Sequence, residues 1–161
     1  MRVGAARSAP ALLAAALAQT AAGAGGTARV RAVGCDLVDI EELCPRLHPR
    51  FLARAFAPAE IAGGASRADA SRWFAARWAA KEAGYKAVCQ VAIAAGRGLD
   101  GLATFRDYEV RSLAGTPAPT LALHGAPAAL LASLSLRVHL SLTDEAGYAA
   151  AFVVIADEER S

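Results

Sequence analysis

The sequence predicts an α+β domain, a mainly antiparallel sheet packed on one long central helix. Three observations carry that expectation. Residues 70–91 form a proline-free stretch whose large apolar side chains recur at helical spacing. Five segments read as strands, and the last two lie close enough to pair as a hairpin. No internal repeat is present, so one mixed domain is expected.

Ordered structure is expected to begin near Ala28, after an Ala-rich extension over 1–27. Val30–Ile40 (VRAVGCDLVDI) alternates as a strand, with Val33, Cys35 and Leu37 on one face and Gly34, Asp36 and Val38 on the other. Pro49–Phe56 reads as a short helix with proline near its start. Pro58–Ala62 opens another turn, and Gly63–Ser66 reads as a loop. The long helix runs from Ala70 to about Val91, and 96–101 is again a loop. Thr104–Ser112 and Thr120–His124 read as strands flanking Gly115-Thr116-Pro117. Pro127 opens an Ala/Leu helix ending near Ser135. Arg137–Thr143 and Tyr148–Ile155 form the hairpin, joined through Asp144–Gly147. The domain is expected to span 28–156, with a charged tail over 157–161.

The 161 residues suffice for one domain with its own core. Hydrophobic residues make up 55%, but many are alanine and aromatics are only 6%, so Ala, Leu and Val must fill the core. A net charge of +2 does not argue for a nucleic-acid partner. Cys35, Cys44 and Cys89 are scattered, without a CxxC pair, so neither a disulfide framework nor a zinc site is indicated. A reducing cytoplasm is the expected compartment. No run is long and apolar enough to cross a membrane. Arg2 and Arg7 ahead of ALLAAALA (11–18) imitate a signal peptide, but that stretch has only three leucines among alanines.

The chemistry concentrates on the long helix. Phe74, Trp78, Tyr85 and Cys89 form one apolar stripe, and alanines cover the opposite side, so neighbours are expected on both sides. Glu82 and Lys86 lie one turn apart along one edge of the stripe; Arg77 and Lys81 do so along the other. These are either surface i,i+4 pairs or functional charges, since charges on a mostly buried helix need partners. Asp36 sits mid-strand, where aspartate is depleted. It is either a turn or cap residue or, with Glu82, one of two hard oxygen ligands. Mg²⁺ takes one or two carboxylates and fills its octahedron with phosphate oxygens and waters. Composition and spacing leave both readings open.

GCDLVDIEEL (Gly34–Leu43) and RWAAKEAGYKA (Arg77–Ala87) together resemble the holo-acyl-carrier-protein synthase type of 4′-phosphopantetheinyl transferase. That family carries a G-[IV]-D-[IL]-V/T-x-I strand and an F/W-A-A-K-E-A-x-x-K-A helix. The resemblance extends from about Val30 to Ile155, including FAPAEI (Phe56–Ile61) and the hairpin HLSLTDEAGYAAAFVVI (His139–Ile155). It implies the fold of that family and transfer of phosphopantetheine from coenzyme A to a carrier-protein serine. By position, it makes Asp36 and Glu82 the Mg²⁺ carboxylates. Glu82, or a water it orients, becomes the base, and Lys86 assists the departing 3′,5′-ADP. Arg77 and Lys81 become phosphate contacts, and Ser141, Thr143 and Asp144 border the nucleotide. Arg50 and Arg54 would dock an acidic carrier helix.

One departure stands out. The family motif S-[IL]-[ST]-H ends in histidine where this chain has Asp144, and an aspartate near a 3′-phosphate is repulsive. Asp144 either caps the hairpin turn or alters nucleotide binding. This motivates an alternative, a non-catalytic relative that binds carrier protein or coenzyme A. An unrelated Mg²⁺-dependent nucleotide enzyme ranks below both, because no Gly-rich phosphate motif is present. His48, His124 and His139 show no ligand spacing and read as structural. The resemblance also implies a homotrimer with sites at subunit seams. The final strand, apolar on both faces, independently asks for cover on both.

Overall fold

Residues 29–112, 116 and 118–158 are described by the computed structural model of the chain. The expected extension over 1–27 lies outside them.

Strand β1 (Val30–Asp39) leads directly into a one-turn helix, α1 (Ile40–Leu43). The junction is set by Asp39, whose carboxylate accepts from the N–H groups of Glu41 and Glu42 at 2.9 and 3.1 Å, an N-cap. Helix α2 (Pro49–Ala55) starts on a proline, with the ring nitrogen of His48 accepting from the Phe51 N–H. Helix α3 (Pro58–Ala65) also opens on proline, and Glu60 reaches back to the Ala57 N–H at 2.8 Å.

The loop expected at Gly63–Ser66 is instead helical through Ala65. Both glycines carry packing: a Cβ on Gly63 would stand 2.9 Å from the Trp73 ring, and one on Gly64 would stand 2.4 Å from the Phe74 ring. Close helix–helix contact thus outweighs the helix cost of two glycines.

Helix α4 (Ala70–Ala94, 25 residues) is the axis of the molecule. A 3₁₀ turn at Phe105–Asp107 follows, then β2 (Tyr108–Ser112), shorter than expected because Thr104–Asp107 turns. Phe105 is thereby aimed at Trp78, ring centroids 4.8 Å apart. Next come β3 (Pro119–Leu123), α5 (Gly125–Ser133), β4 (Leu136–Glu145) and β5 (Tyr148–Asp157). The β4–β5 turn is only Ala146-Gly147, both at positive φ (50° and 85°), in the manner of a two-residue hairpin turn.

The strands divide into two antiparallel sheets, β1-β5-β4 and β2-β3. Helix α4 packs between them. Gly34 on β1 meets one side of the helix, where a Cβ would lie 1.9 Å from the Ala83 carbonyl oxygen. Gly84 meets Leu121 and Tyr108 of the smaller sheet on the other side. Small side chains on α4 are what both approaches require: Ala79, Ala80, Ala83 and Ala87 are fully buried. The opposite face of the larger sheet stays open, with Leu37 65% exposed.

Candidate active site

The contact at Gly34 fixes the register in which β1 faces α4, and two residues later it delivers Asp36. The side chain of Asp36 is only 10% exposed. One carboxylate oxygen accepts from Lys86 Nζ at 2.6 Å, and Lys86 also donates to the Cys35 carbonyl at 3.2 Å. The other oxygen, Oδ2, is buried and has no hydrogen-bond partner. Glu82, one helical turn before Lys86, faces the same point. Its carboxyl is pushed up to about 7, first by burial and then by the neighbouring Asp36 charge, against the opposing pull of Lys86 and Arg46. Lys86 is itself raised by its bond to Asp36.

The Asp36 charge beside Glu82 disfavours a second negative charge there, a repulsion that a bound cation would relieve. An orphaned, buried oxygen beside them fits a hard cation. Among the described residues no group of three or more His, Cys, Asp or Glu side chains converges. A hard cation held there would take Asp36 and Glu82 as its two carboxylates, with water or phosphate oxygens completing the octahedron. A cleft bordered by Leu37, Glu42, Arg46, Trp78 and Glu82 opens beside the pair.

The other expected residues fall elsewhere. Lys81 is fully buried, and its ammonium donates to Glu60 at 2.8 Å and to the carbonyls of Tyr108 and Phe105 at 2.7 and 3.2 Å. All three protons are used, so the expectation of a phosphate contact is corrected: Lys81 ties α4 to α3 and β2. Burial draws its pKa down against the pull of Glu60. Glu60, absent from the expected site, completes this anchor by also accepting from the N–H of Val110. A glutamate three residues after the N-cap position, Ala57, was its only sequence signal.

Arg77 lines a second cleft of about 310 Å³ on the β4 side of α4, with Arg67, Arg72 and Arg111. Its guanidinium stacks on Trp73, and its buried Nε has no partner. Burial lowers its pKa to about 10, still cationic at neutral pH. Thr143 and Asp144 border this cleft, whereas Ser141 is exposed and does not. Asp144 lies within β4, opposite Ala149, and pairs with Arg72; it does not cap the turn. Arg72 carried no sequence signal of its own. Arg50 and Arg54 are exposed one turn apart on α2. His48 caps α2 and His124 bonds Glu109, as structural histidines do. All three cysteines are free.

This geometry has relatives. The profile of the 4′-phosphopantetheinyl transferase superfamily matches residues 32–153. A holo-[acyl-carrier-protein] synthase of Koribacter versatilis is 38% identical over 128 residues, 77% of this chain and 96% of the relative. One from a Methylobacterium species is 43% identical, over 75% of this chain and 87% of the relative. Among solved structures, the ACPS–CoA complex of Chronobacterium ammoniagenes superposes with a TM-score of 0.66 at 29% identity, covering 80% of this chain and 98% of that one. The chain thus belongs to the 4′-phosphopantetheinyl transferase superfamily and is of the holo-[acyl-carrier-protein] synthase type.

Proposed function

We propose that the chain transfers the 4′-phosphopantetheine group of coenzyme A to a serine of an acyl carrier protein or domain, releasing 3′,5′-ADP, with Mg²⁺ held by Asp36 and Glu82. The observation that carries the reading is the inward-facing carboxylate pair with its orphaned Oδ2, beside Lys86. When bound, the metal neutralises charge that develops on the diphosphate. The serine oxygen bonds to the phosphorus on the pantetheine side. The bond from that phosphorus to the bridging oxygen breaks, and the bridging oxygen leaves with the adenosine bisphosphate. Glu82, or a water it orients, takes the serine proton. Lys86, 52% exposed and anchored by Asp36, presents its charge to the leaving group. Phosphoryl transfer of this kind asks the protein mainly for positioning and electrostatics.

Arg50 and Arg54 would steer an acidic carrier to the cleft beside Glu82, since α2 follows directly on the segment bearing Arg46. The metal carboxylates lie by β1 and the arginine cleft by β4, the two edges of the three-stranded sheet. One coenzyme A is better served by clefts from two copies than from one, and the open apolar sheet face around Leu37 supports assembly. The reading therefore includes a homotrimer with sites at its seams and action in the cytoplasm. Release of 3′,5′-ADP, followed by chromatography, tests the reaction: it should require apo-carrier, coenzyme A and Mg²⁺ together. Light scattering tests the trimer, on the full chain and on a chain starting at Thr27.

A further inference from the structure

The arginine cleft has a feature the transfer reaction does not use. Four guanidinium groups line it, and three already hold a carboxylate: Arg67 with Asp69, Arg72 with Asp144, and Arg111 with Glu109. Arg77 makes no direct ion pair among the described residues, feeling only the charge of Glu60, and its buried Nε is unsatisfied. The cleft thus offers one vacant cation and three occupied ones. Coenzyme A carries a diphosphate and a separate 3′-phosphate monoester. The diphosphate belongs with the metal carboxylates, which leaves the monoester as the anion for a guanidinium cleft.

Of the three occupied arginines, Arg72 is the one whose carboxylate comes from across the cleft. Asp69 is two residues from Arg67 and Glu109 two residues from Arg111, whereas Asp144 reaches Arg72 from β4. Arg72 and Asp144 are also half and one-third exposed, free to exchange partners with an entering ligand. We infer that the Arg72–Asp144 pair sets how strongly this enzyme selects for the 3′-phosphate of coenzyme A. A phosphate oxygen reaching Arg72 must displace Asp144, and the displaced carboxylate then faces a like charge. The internal carboxylate therefore acts as a competitor for the same arginine, and selection for the 3′-phosphate is weaker than four arginines would otherwise give.

This inference rests on the transferase reading, and calorimetry with coenzyme A and 3′-dephospho-coenzyme A, each with Mg²⁺, separates the two. Asp144→Asn frees Arg72 without a new charge. It should tighten coenzyme A about tenfold, the scale of one charge-assisted hydrogen bond, and leave the dephospho form nearly unchanged. Arg72→Ala should weaken coenzyme A selectively, because Asp144 then stands unneutralised. Adding Asp144→Asn to Arg72→Ala should recover part of that loss, while the large gain seen with Asp144→Asn alone should be absent. Equal shifts for both ligands in every variant would overturn the inference and leave the transferase reading intact, with the pair a mere strap between α4 and β4. Failure of the unaltered protein to bind either ligand would overturn both.

Discussion

Glu82→Gln should stabilise the cation-free protein above neutral pH and remove its response to Mg²⁺. Glu82 titrates at about 7 in the fold against 4.5 in its ordinary state. At 1.36 kcal/mol per pH unit, that difference is worth at most about 3 kcal/mol, and partial exposure reduces it to about 1–2 kcal/mol. The sign follows from proton counts. Between pH 4.5 and 7 the folded chain holds a proton on Glu82 that the unfolded chain has lost. Stability from this group is therefore complete below pH 4.5 and is lost as pH rises through 7. Glutamine is indifferent to pH and removes the repulsion with Asp36. Thermal melts in chelator at pH 8 should place the variant about 3–8 °C above the unaltered protein, with the curves converging near pH 5. Adding Mg²⁺ should raise only the unaltered protein strongly. Equal melting at pH 8 without metal, or an equal response to Mg²⁺, would refute the carboxylate-pair argument.

Lys81→Ala should cost about 3–5 kcal/mol in urea unfolding, because it strands Glu60 in the core. Lys81→Met combined with Glu60→Gln should recover much of that cost; full stability with lost coenzyme A binding would restore a phosphate role to Lys81. Gly34→Ala should destabilise by about 1–3 kcal/mol and weaken the Mg²⁺-dependent melting shift, since the added Cβ pushes β1 off α4. An unchanged melting shift would show that the Asp36 position does not depend on that contact. Arg50→Glu with Arg54→Glu should raise the carrier KM and flatten its salt dependence, and leave coenzyme A affinity unchanged. An unaltered carrier KM would exclude α2 as the docking face.

Much of this architecture was legible in the sequence because it rests on periodicity. The alternation in VRAVGCDLVDI put Gly34, Asp36 and Val38 on one face, and that face is the one against α4. The small residues flanking Glu82 foretold a helix approached from both sides, and two sheets approach it. What failed was local and tertiary in origin. Gly63 and Gly64 signalled a loop, but Trp73 and Phe74 need their missing side chains. Lys81 and Lys86 lie on opposite edges of the apolar stripe, yet both read as site charges in the sequence; one is a core anchor and the other a half-exposed site charge. Their difference is which sheet each faces, and spacing alone does not carry it. The roles of Glu60, visible only as a capping residue, and of Arg72 were hidden for the same reason: they come from residues 21 and 72 positions away.

The most direct test of the transferase account is the intact mass of an apo-carrier protein incubated with this chain, coenzyme A and Mg²⁺. The account predicts a mass gain of one phosphopantetheine, located on a single serine by fragmentation. That gain should vanish with chelator or when Asp36→Ala replaces the unaltered protein. A carrier that keeps its apo mass while binding this chain would contradict the account, and so would modification that proceeds undiminished in Asp36→Ala.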